Sequence, residues 1–156
     1  MAERPPIPQT IVDELNRNRG GFNELLGLRF VSASYDEVVA ELEIGPQHHQ
    51  PYGLVHGGVY AGMIETLASV GAALNLLVMG RNTVGLENHS SFLRAIRSGT
   101  LVGRALPLTR GRRSQLWEVT ITHGDRTVAT GRVRCLGVEQ DVKLAGQSVE
   151  PPKGAG

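Results

Sequence analysis

The clearest chemical signature in this sequence is a single glutamate within an apolar segment. From Gly57 to Gly80, Glu65 is the only charged side chain. A carboxylate withdrawn from water becomes a stronger base, which makes it useful for proton transfer or nucleophilic attack near neutral pH. Glu65 is therefore a candidate catalytic carboxylate. The alternative is a structural role, either as the partner of a distant arginine or on an exposed stripe of the helix.

A second candidate lies where a Gly- and Pro-rich loop meets this segment, at His56, Gly57 and Gly58. The first turn of a helix has unpaired backbone N–H groups with the helix dipole behind them, which suits a negatively charged oxygen. The alternative is that two glycines simply ease a tight loop into the helix. Gly57 and Glu65 are two helical turns apart, about 12 Å. Groups from elsewhere, most naturally from a second subunit, must therefore complete a site around either of them.

Other hydrolase and metal motifs are absent from the sequence. It contains neither G-x-S-x-G nor H-E-x-x-H, which excludes the serine-hydrolase and zinc-protease patterns. His48 and His49 have no ligand partners at metal spacing, so we expect loop residues and no metal site. Cys135 is the only cysteine, which excludes an internal disulfide and suits a reducing compartment. We interpret it as an ordinary, partly buried thiol.

The elements that would position these residues are one long helix and a series of strands. The helix is predicted from residue 58 to about 78, and its apolar residues lie nearly all round, so it must be surrounded by other structure. A strand pair is predicted within residues 28–44, and later strands at 83–96, 100–108, 115–122 and 127–137. Consecutive strands with short links form an antiparallel meander. The sequence therefore predicts an α+β fold, one long helix against a curved antiparallel sheet.

The chain length fits one domain between two less regular ends. The 156 residues match a single core. We divide them into an N-terminal arm with a short helix (1–20), a central domain (21–138) and a disordered tail (139–156). The division leaves no second domain and no internal repeat.

Composition and charge narrow the choice of partners. With 16 Lys plus Arg against 15 Asp plus Glu, no overall field favours nucleic acid or an anionic membrane. The apolar segment could cross a bilayer by length, but lipid would penalise Glu65 at its centre, so we expect a buried helix. The first ten residues hold no apolar stretch of signal-peptide length, and a cytoplasmic protein is expected.

Several segments together resemble a known family. They comprise Gln50 to Gly58, Glu65 with Ser69, Thr83 to Glu87, and Ser114 to Trp117. In residue types and in the spacing from His56 to Glu65 they are similar to the PaaI-type hotdog thioesterases, and within these to the YdiI and EntH branch, which hydrolyses aryl- and acyl-CoA thioesters. The resemblance covers roughly residues 22–137. It implies a hotdog fold, in which a curved antiparallel sheet wraps a long central helix, and a cofactor-free acyl-CoA hydrolase.

The resemblance also implies roles for individual positions. Glu65 would act as nucleophile or as general base toward water, Gln50 would bind the thioester oxygen, and His56 would orient thioester or water. The Gly57 backbone N–H would complete the oxyanion hole, and the Ser69 hydroxyl would support substrate or water. Family members form dimers whose sheets join, with the site between subunits, and here we expect a dimer of dimers. Glu65 would then face the carbonyl-binding groups of the partner subunit.

One departure from the family concerns the acyl group. Phe92 stands where the YdiI branch has a histidine, and His89 falls at a different position. We expect Phe92 to contact the substrate, but the ring contacts of that histidine do not carry over. Aryl- and medium-chain acyl-CoA therefore both stay open as substrates.

Other substrate contacts are expected at the helix start and in one turn. Gly58 lies beside the oxyanion site. Arg110, Arg112 and Arg113 share a turn and suit the phosphates of CoA, because guanidinium groups match phosphate geometry. Arginines in a solvated hairpin are the structural alternative.

Two rival functions belong to the same fold. A non-catalytic acyl-CoA binding or sensing module has no need for a buried carboxylate beside a carbonyl-binding helix end. A hotdog hydratase would present an Asp and His pair, and its usual motif is absent. Glu65 therefore favours the thioesterase.

Overall fold

The chain is described by a computed structural model that covers residues 4–149. Its helices are α1 (Ile11–Arg17), α2 (Gly20–Leu26) and α3 (Gly57–Leu77), with a 3₁₀ turn at Pro46–His48. Its strands are β1 (Arg29–Ala33), β2 (Val38–Glu43), β3 (Arg81–Phe92), β4 (Thr100–Arg110), β5 (Ser114–His123), β6 (Arg126–Glu139), β7 (Lys143–Leu144) and β8 (Gln147–Ser148).

Six strands form one antiparallel sheet in the order β1-β2-β4-β5-β6-β3. The meander β4-β5-β6 follows the predicted strands closely. Although β3 precedes β4 in the chain, it pairs with β6 and lies at the edge of the sheet. Among the described strands none takes up its other side, so one row of β3 backbone groups is available for pairing.

The helix α3 lies across the inner face of this sheet and forms the centre of the core. Small residues allow its close approach: a Cβ at Gly71 would lie 2.5 Å from the Trp117 ring, and one at Gly131 would lie 2.9 Å from Ile64. By length and hydropathy α3 could span a membrane, but 56% of that window is buried inside the fold. The predicted α+β architecture with a surrounded central helix is confirmed.

The observed β3 is shorter than the predicted strand. It ends at Phe92 rather than near residue 96, because the chain then turns away from the sheet edge. The Leu93 N–H donates to the Val128 carbonyl, and the Val55 N–H donates to the Ile96 carbonyl, both at 2.8 Å. This turn places the end of β3 against the loop that leads into α3.

Near both ends of the described range, residues 4–149, the chain makes contacts with the fold or forms a hairpin. The Arg4 guanidinium donates to Asn75 Oδ1 on α3 (3.0 Å) and lies 5.2 Å from the centre of the Tyr35 ring. The predicted arm is thus attached to the fold from Arg4 onward. The segment predicted to be a disordered tail contains the β7–β8 hairpin, and residues 150–156 lie outside the described part.

Candidate active site

Glu65 lies on the side of α3 that meets β3, and its side chain is half-buried. Its Oε2 accepts a hydrogen bond from the Asn88 amide (2.9 Å), and its Oε1 lies 3.5 Å from the Ser69 hydroxyl, one turn further along the helix. Asn88 also donates to the Ala61 carbonyl (3.1 Å). Neutral donors from helix and strand therefore hold the carboxylate.

Gly85 on β3 makes room for this carboxylate. A Cβ at Gly85 would overlap Glu65 Oε1, so any other residue there would push the carboxylate away from the strand. A β-bulge follows directly, between Gly85 and Glu87. Because the extra residue reverses the alternation of side chains, Asn88 faces α3 instead of Glu87.

Among the described residues, Glu65 has no cationic partner. Within residues 4–149 no arginine, lysine or histidine forms an ion pair or hydrogen bond with its carboxylate. The alternative of a distant arginine partner therefore does not hold in the described part of the chain. A half-buried carboxylate with only neutral donors is available for chemistry.

The only thiol lies next to this carboxylate. Cys135 on β6 is opposite Gly85 in the sheet register and fully buried. Burial raises the pKa of its thiol to about 11; the Ser69 hydroxyl opposes that rise and the charge of Glu65 adds to it. Cys135 is therefore protonated at neutral pH, which agrees with its interpretation as an ordinary thiol, although it is fully rather than partly buried.

At the start of α3, one backbone N–H is hydrogen-bonded within the described chain and one is not. His56 is the N-cap, and its Nδ1 accepts the Gly58 N–H at 2.8 Å. When the ring is neutral, its proton is therefore on Nε2. His56 as a whole is exposed. No acceptor within residues 4–149 takes the Gly57 N–H. Gly57, rather than Gly58, is the backbone donor that remains for a ligand at this helix end.

An aromatic wall borders that open donor. The Phe92 ring lies against Gly57, where an added Cβ would be 2.5 Å from it. The ring is 53% exposed and packs at 5.7 Å between centroids on the buried ring of Tyr60. Burial raises the pKa of the Tyr60 hydroxyl, which is therefore neutral. The surface beside the Gly57 donor is thus apolar.

The loop before α3 holds Gln50 in one orientation. Its Oε1 accepts the backbone N–H of Tyr52, so the Nε2 amide group points away, and no acceptor within residues 4–149 takes its two hydrogens. The Arg97 guanidinium donates to the carbonyls of Tyr52 and Gly53 (2.9 and 3.3 Å) and fixes this turn. The Gln50 amide is therefore a preoriented hydrogen-bond donor.

The two neighbouring histidines have different surroundings. His48 is buried; its Nδ1 accepts the Gly45 N–H, and its Nε2 lies 2.8 Å from the Leu26 carbonyl. His49 is exposed and contacts the Arg97 carbonyl. In the part of the chain that the structure describes, no group of His, Cys, Asp or Glu side chains could hold a metal ion.

Within one chain, these residues form two separate groups. Glu65, Ser69 and Asn88 lie at the middle of α3, whereas Gln50, His56 and Gly57 lie at its start. No hydrogen bond in the described residues joins the two groups. Because α3 is one continuous helix from Gly57 to Leu77, the separation of two helical turns deduced from the sequence is kept in the fold.

The predicted arginine cluster lies at the opposite end of α3. The β4–β5 turn meets Gly137, where an added Cβ would be 2.6 Å from the Arg112 carbonyl and 2.8 Å from Leu76 near the end of the helix. Arg110 is paired with the Asp36 carboxylate and donates to the Tyr35 carbonyl (3.1 Å). Arg112 and Arg113 are exposed.

Sequence relatives identify the family. A family model described as the thioesterase superfamily matches residues 52–130. The chain belongs to the thioesterase superfamily. This thioesterase is 47% identical over 121 residues to the esterase candidate Rv1847 of Mycobacterium tuberculosis, which covers 76% of this chain and 86% of that protein. The solved structure of Rv1847/MT1895 gives a TM-score of 0.74 over 76% of this chain and 96% of that chain.

Two further relatives carry thioesterase names. The proofreading thioesterase EntH of Cronobacter turicensis is 37% identical over 65% of this chain and 74% of that protein. The 1,4-dihydroxy-2-naphthoyl-CoA hydrolase of Listeria monocytogenes is 33% identical over 65% of this chain and 82% of that protein. The hotdog fold and the thioester hydrolase activity expected from the resemblance are both confirmed.

Sequence reasoning missed Gly85 and Asn88, which shape the surroundings of Glu65. An ordinary strand alternation would place Gly85 and Glu87 on one face and Asn88 on the other. Only the β-bulge reverses this order. The glycine within an otherwise regular strand pattern was the one available signal, because such glycines mark bulges or a close approach of another group.

Proposed function

We propose that this thioesterase hydrolyses an aryl- or medium-chain acyl-CoA to the free acid and CoA, with Glu65 as nucleophile or general base. The observation that carries the proposal is the environment of the Glu65 carboxylate. Asn88 and Ser69 contact it, and no cationic side chain among the described residues forms an ion pair with it. Neutral donors leave lone pairs of a carboxylate available for attack or proton transfer, whereas an ion pair would occupy them.

The active unit in this proposal is a dimer joined through the free edges of β3. Within residues 4–149 no strand pairs with this edge, and Leu86 on it is 62% exposed. Within a chain α3 and β3 run in opposite directions, since Gly57 lies at Phe92 and Glu65 lies at Gly85. Antiparallel pairing of two β3 strands therefore brings the start of one α3 toward the middle of the other. Glu65 then faces the helix start of the partner subunit.

The carbonyl-binding groups in this dimer come from the helix start. Gln50 Nε2 and the Gly57 N–H, both of the same subunit, donate to the thioester oxygen. As the carbonyl carbon becomes tetrahedral its oxygen gains negative charge, so these donors stabilise the transition state more than the ground state. Gly58 has no side chain to obstruct the approaching carbonyl, and the Nε2–H of the exposed His56 orients thioester or water.

Glu65 can complete the reaction by either of two routes. As general base it removes a proton from water, the water oxygen attacks the carbonyl carbon, the C–S bond breaks, and the CoA thiolate leaves and takes up a proton. As nucleophile its oxygen attacks the carbonyl carbon and displaces the CoA thiolate, and water then hydrolyses the acyl-glutamyl anhydride. The Ser69 hydroxyl, one turn from Glu65, supports substrate or water in both routes.

The acyl group would lie against the aromatic wall. Phe92 and Tyr60 border the Gly57 donor, so the atoms next to the thioester carbonyl meet apolar surface. An aryl or medium alkyl chain gains by burial there, at about 25 cal/mol per Å². A relative named as a hydrolase of 1,4-dihydroxy-2-naphthoyl-CoA supports the aryl choice. The phenyl ring of Phe92 favours acyl groups without a polar substituent.

The nucleotide of CoA would meet the β4–β5 turn. Within one subunit this turn lies beyond Glu65, next to Leu76 near the end of α3. In the proposed dimer it therefore lies on the far side of Glu65 from Gly57 of its own chain. Arg112 and Arg113 are exposed and suit phosphate groups. Arg110 is already paired with Asp36, so we expect it to contribute less to phosphate binding than Arg112 and Arg113.

The proposal also covers the oligomeric state and the cellular location of the protein. We expect two such dimers to associate as a homotetramer in the cytoplasm. The support for the location is the free thiol of Cys135, which suits a reducing compartment. The site needs no resident metal or cofactor, since water, thioester and Glu65 suffice for both routes.

A hydrolysis screen tests the proposed substrate class. The full chain is incubated with benzoyl-CoA, decanoyl-CoA and acetyl-CoA, and released CoA is measured with a thiol-reactive dye. We expect kcat/KM of about 10⁴ M⁻¹s⁻¹ or more for benzoyl- or decanoyl-CoA and a value about tenfold lower for acetyl-CoA. Calorimetric binding without release of CoA would contradict the proposal and indicate an acyl-CoA sensor.

A further inference from the structure

Asn88 belongs to a hydrogen-bonded chain that ends on the Glu65 carboxylate. The Ser90 hydroxyl donates to Asn88 Oδ1 at 2.6 Å. The Asn88 amide nitrogen donates to the Ala61 carbonyl at 3.1 Å and to Glu65 Oε2 at 2.9 Å. Asn88 and Ser90 are two residues apart on β3, so both side chains lie on the face toward α3.

These contacts fix the orientation of the Asn88 amide. Both hydrogens of its nitrogen are used, one on a helix carbonyl and one on the carboxylate, and its oxygen accepts from Ser90. A flipped amide would direct its oxygen at two other acceptors, Ala61 O and Glu65 Oε2, which repel it. The side chain is therefore a donor with one allowed direction.

We propose that Asn88 is a positioning residue, which holds Glu65 Oε2 in place so that the carboxylate reacts from a single orientation. The inference rests on the proposed function of Glu65. A glutamate has three rotatable side-chain bonds, and one half-exposed at a sheet edge would sample several rotamers. The tether to Asn88, together with the space left by Gly85, keeps the carboxylate against β3. That is the edge at which the partner subunit is expected.

A neutral amide suits this role better than a cation. An arginine or lysine at residue 88 would also hold the carboxylate, but it would form an ion pair and stabilise the charge that must be transferred or shared in the reaction. The amide donates one hydrogen bond without adding charge. Fixing a reacting group in this way affects turnover more than substrate affinity.

Substitution of Asn88 separates positioning from packing. Asn88→Leu keeps the approximate size and removes the donor, and we expect kcat to fall about tenfold with KM changed by less than about threefold. Asn88→Asp places a second carboxylate at Glu65 and should lower kcat further, because like charges repel. Asn88→Gln keeps an amide donor and should recover part of the lost kcat. His89→Leu, on the outer face of the same strand, is the matched control and should leave kcat unchanged.

The double variant with Glu65→Gln tests whether Asn88 acts through Glu65. If it does, adding Asn88→Leu to Glu65→Gln should lower kcat by less than about a further twofold, because the charge that Asn88 positions is already absent. An equal tenfold loss in both backgrounds, a change confined to KM, or full activity of Asn88→Leu would each overturn the inference. If Glu65→Gln alone remains active, the proposed function fails first, and that outcome is distinct from failure at Asn88.

A second variant covers the case in which Asn88→Leu does not fold. Ser90→Ala removes the bond that orients the amide but leaves Asn88 in contact with Glu65. We expect a two- to threefold lower kcat, roughly the effect of one weakened orienting contact. Melting temperature and size-exclusion volume should match the wild type for this variant, and unaltered kcat in it would then count against the inference.

Discussion

Replacement of Glu65 by glutamine is expected to lower kcat by about 10²-fold or more while the protein folds and still binds acyl-CoA. The substitution keeps the size and polarity of the side chain. The glutamine oxygen can still accept from the Asn88 amide, and the glutamine nitrogen can donate to the Ser69 hydroxyl. The substitution removes the negative charge, so neither attack on the thioester nor proton removal from water remains possible. Steady-state kinetics with the best acyl-CoA of the screen measure the effect.

A matched control separates this loss from a general effect of charge removal. Glu118→Gln changes an exposed carboxylate on β5 that is paired with Arg132 on the outer sheet face. We expect its kcat to remain within about twofold of wild type, as surface ion pairs contribute little. A Glu65→Gln variant with kcat within a few fold of wild type would remove Glu65 from the mechanism.

Removal of the side chains expected to bind the thioester carbonyl should also lower activity strongly. Gln50→Ala removes the oriented amide donor, and His56→Ala removes the Nε2–H; each should lower kcat/KM by about 10- to 10³-fold. The loss should be larger in kcat than in KM, because the oxygen carries most charge in the transition state. Initial rates over a range of acyl-CoA concentrations separate the two parameters.

His56 also caps α3, so its variants need a control for stability. His56→Asn keeps a side-chain acceptor for the Gly58 N–H, since asparagine is a favoured N-cap residue, but lacks the imidazole donor. We expect normal stability with low activity for His56→Asn, and a further loss of about 1 kcal/mol of unfolding free energy for His56→Ala. Wild-type kinetics in Gln50→Ala and His56→Asn would leave the loop with a structural role only.

The fold could be predicted wherever one local pattern decides the element. The long run of small and apolar residues around Glu65 predicts a surrounded helix, because no single face could be left to water. The meander strands follow from alternation and turn residues. The end of β3 could not be predicted in this way: residues beyond Phe92 have a strand-like composition, but their hydrogen bonds go to Val55 and Val128, which are distant in sequence.

The residues of the candidate site could be predicted from the sequence, whereas the residues that support Glu65 could not. Glu65 and the capped start of α3 carry signals in residue type and spacing. Asn88 carries none, because the bulge after Gly85 decides which β3 residues face the helix. The pairing of Arg110 with Asp36 joins residues 74 positions apart and was equally invisible. Long-range register, rather than local propensity, is the missing information in each case.

Complementation between two inactive chains tests whether each active site is shared between two subunits. One chain carries Glu65→Gln, and the other carries Gln50→Ala with His56→Ala. If each site takes its carboxylate from one subunit and its carbonyl-binding groups from the other, a mixed dimer has one intact site. After full subunit exchange, an equal mixture should recover about a quarter of the wild-type activity per chain, since about half of the dimers are mixed. Exchange demonstrated by mass spectrometry without recovery of hydrolysis would contradict a site shared between subunits.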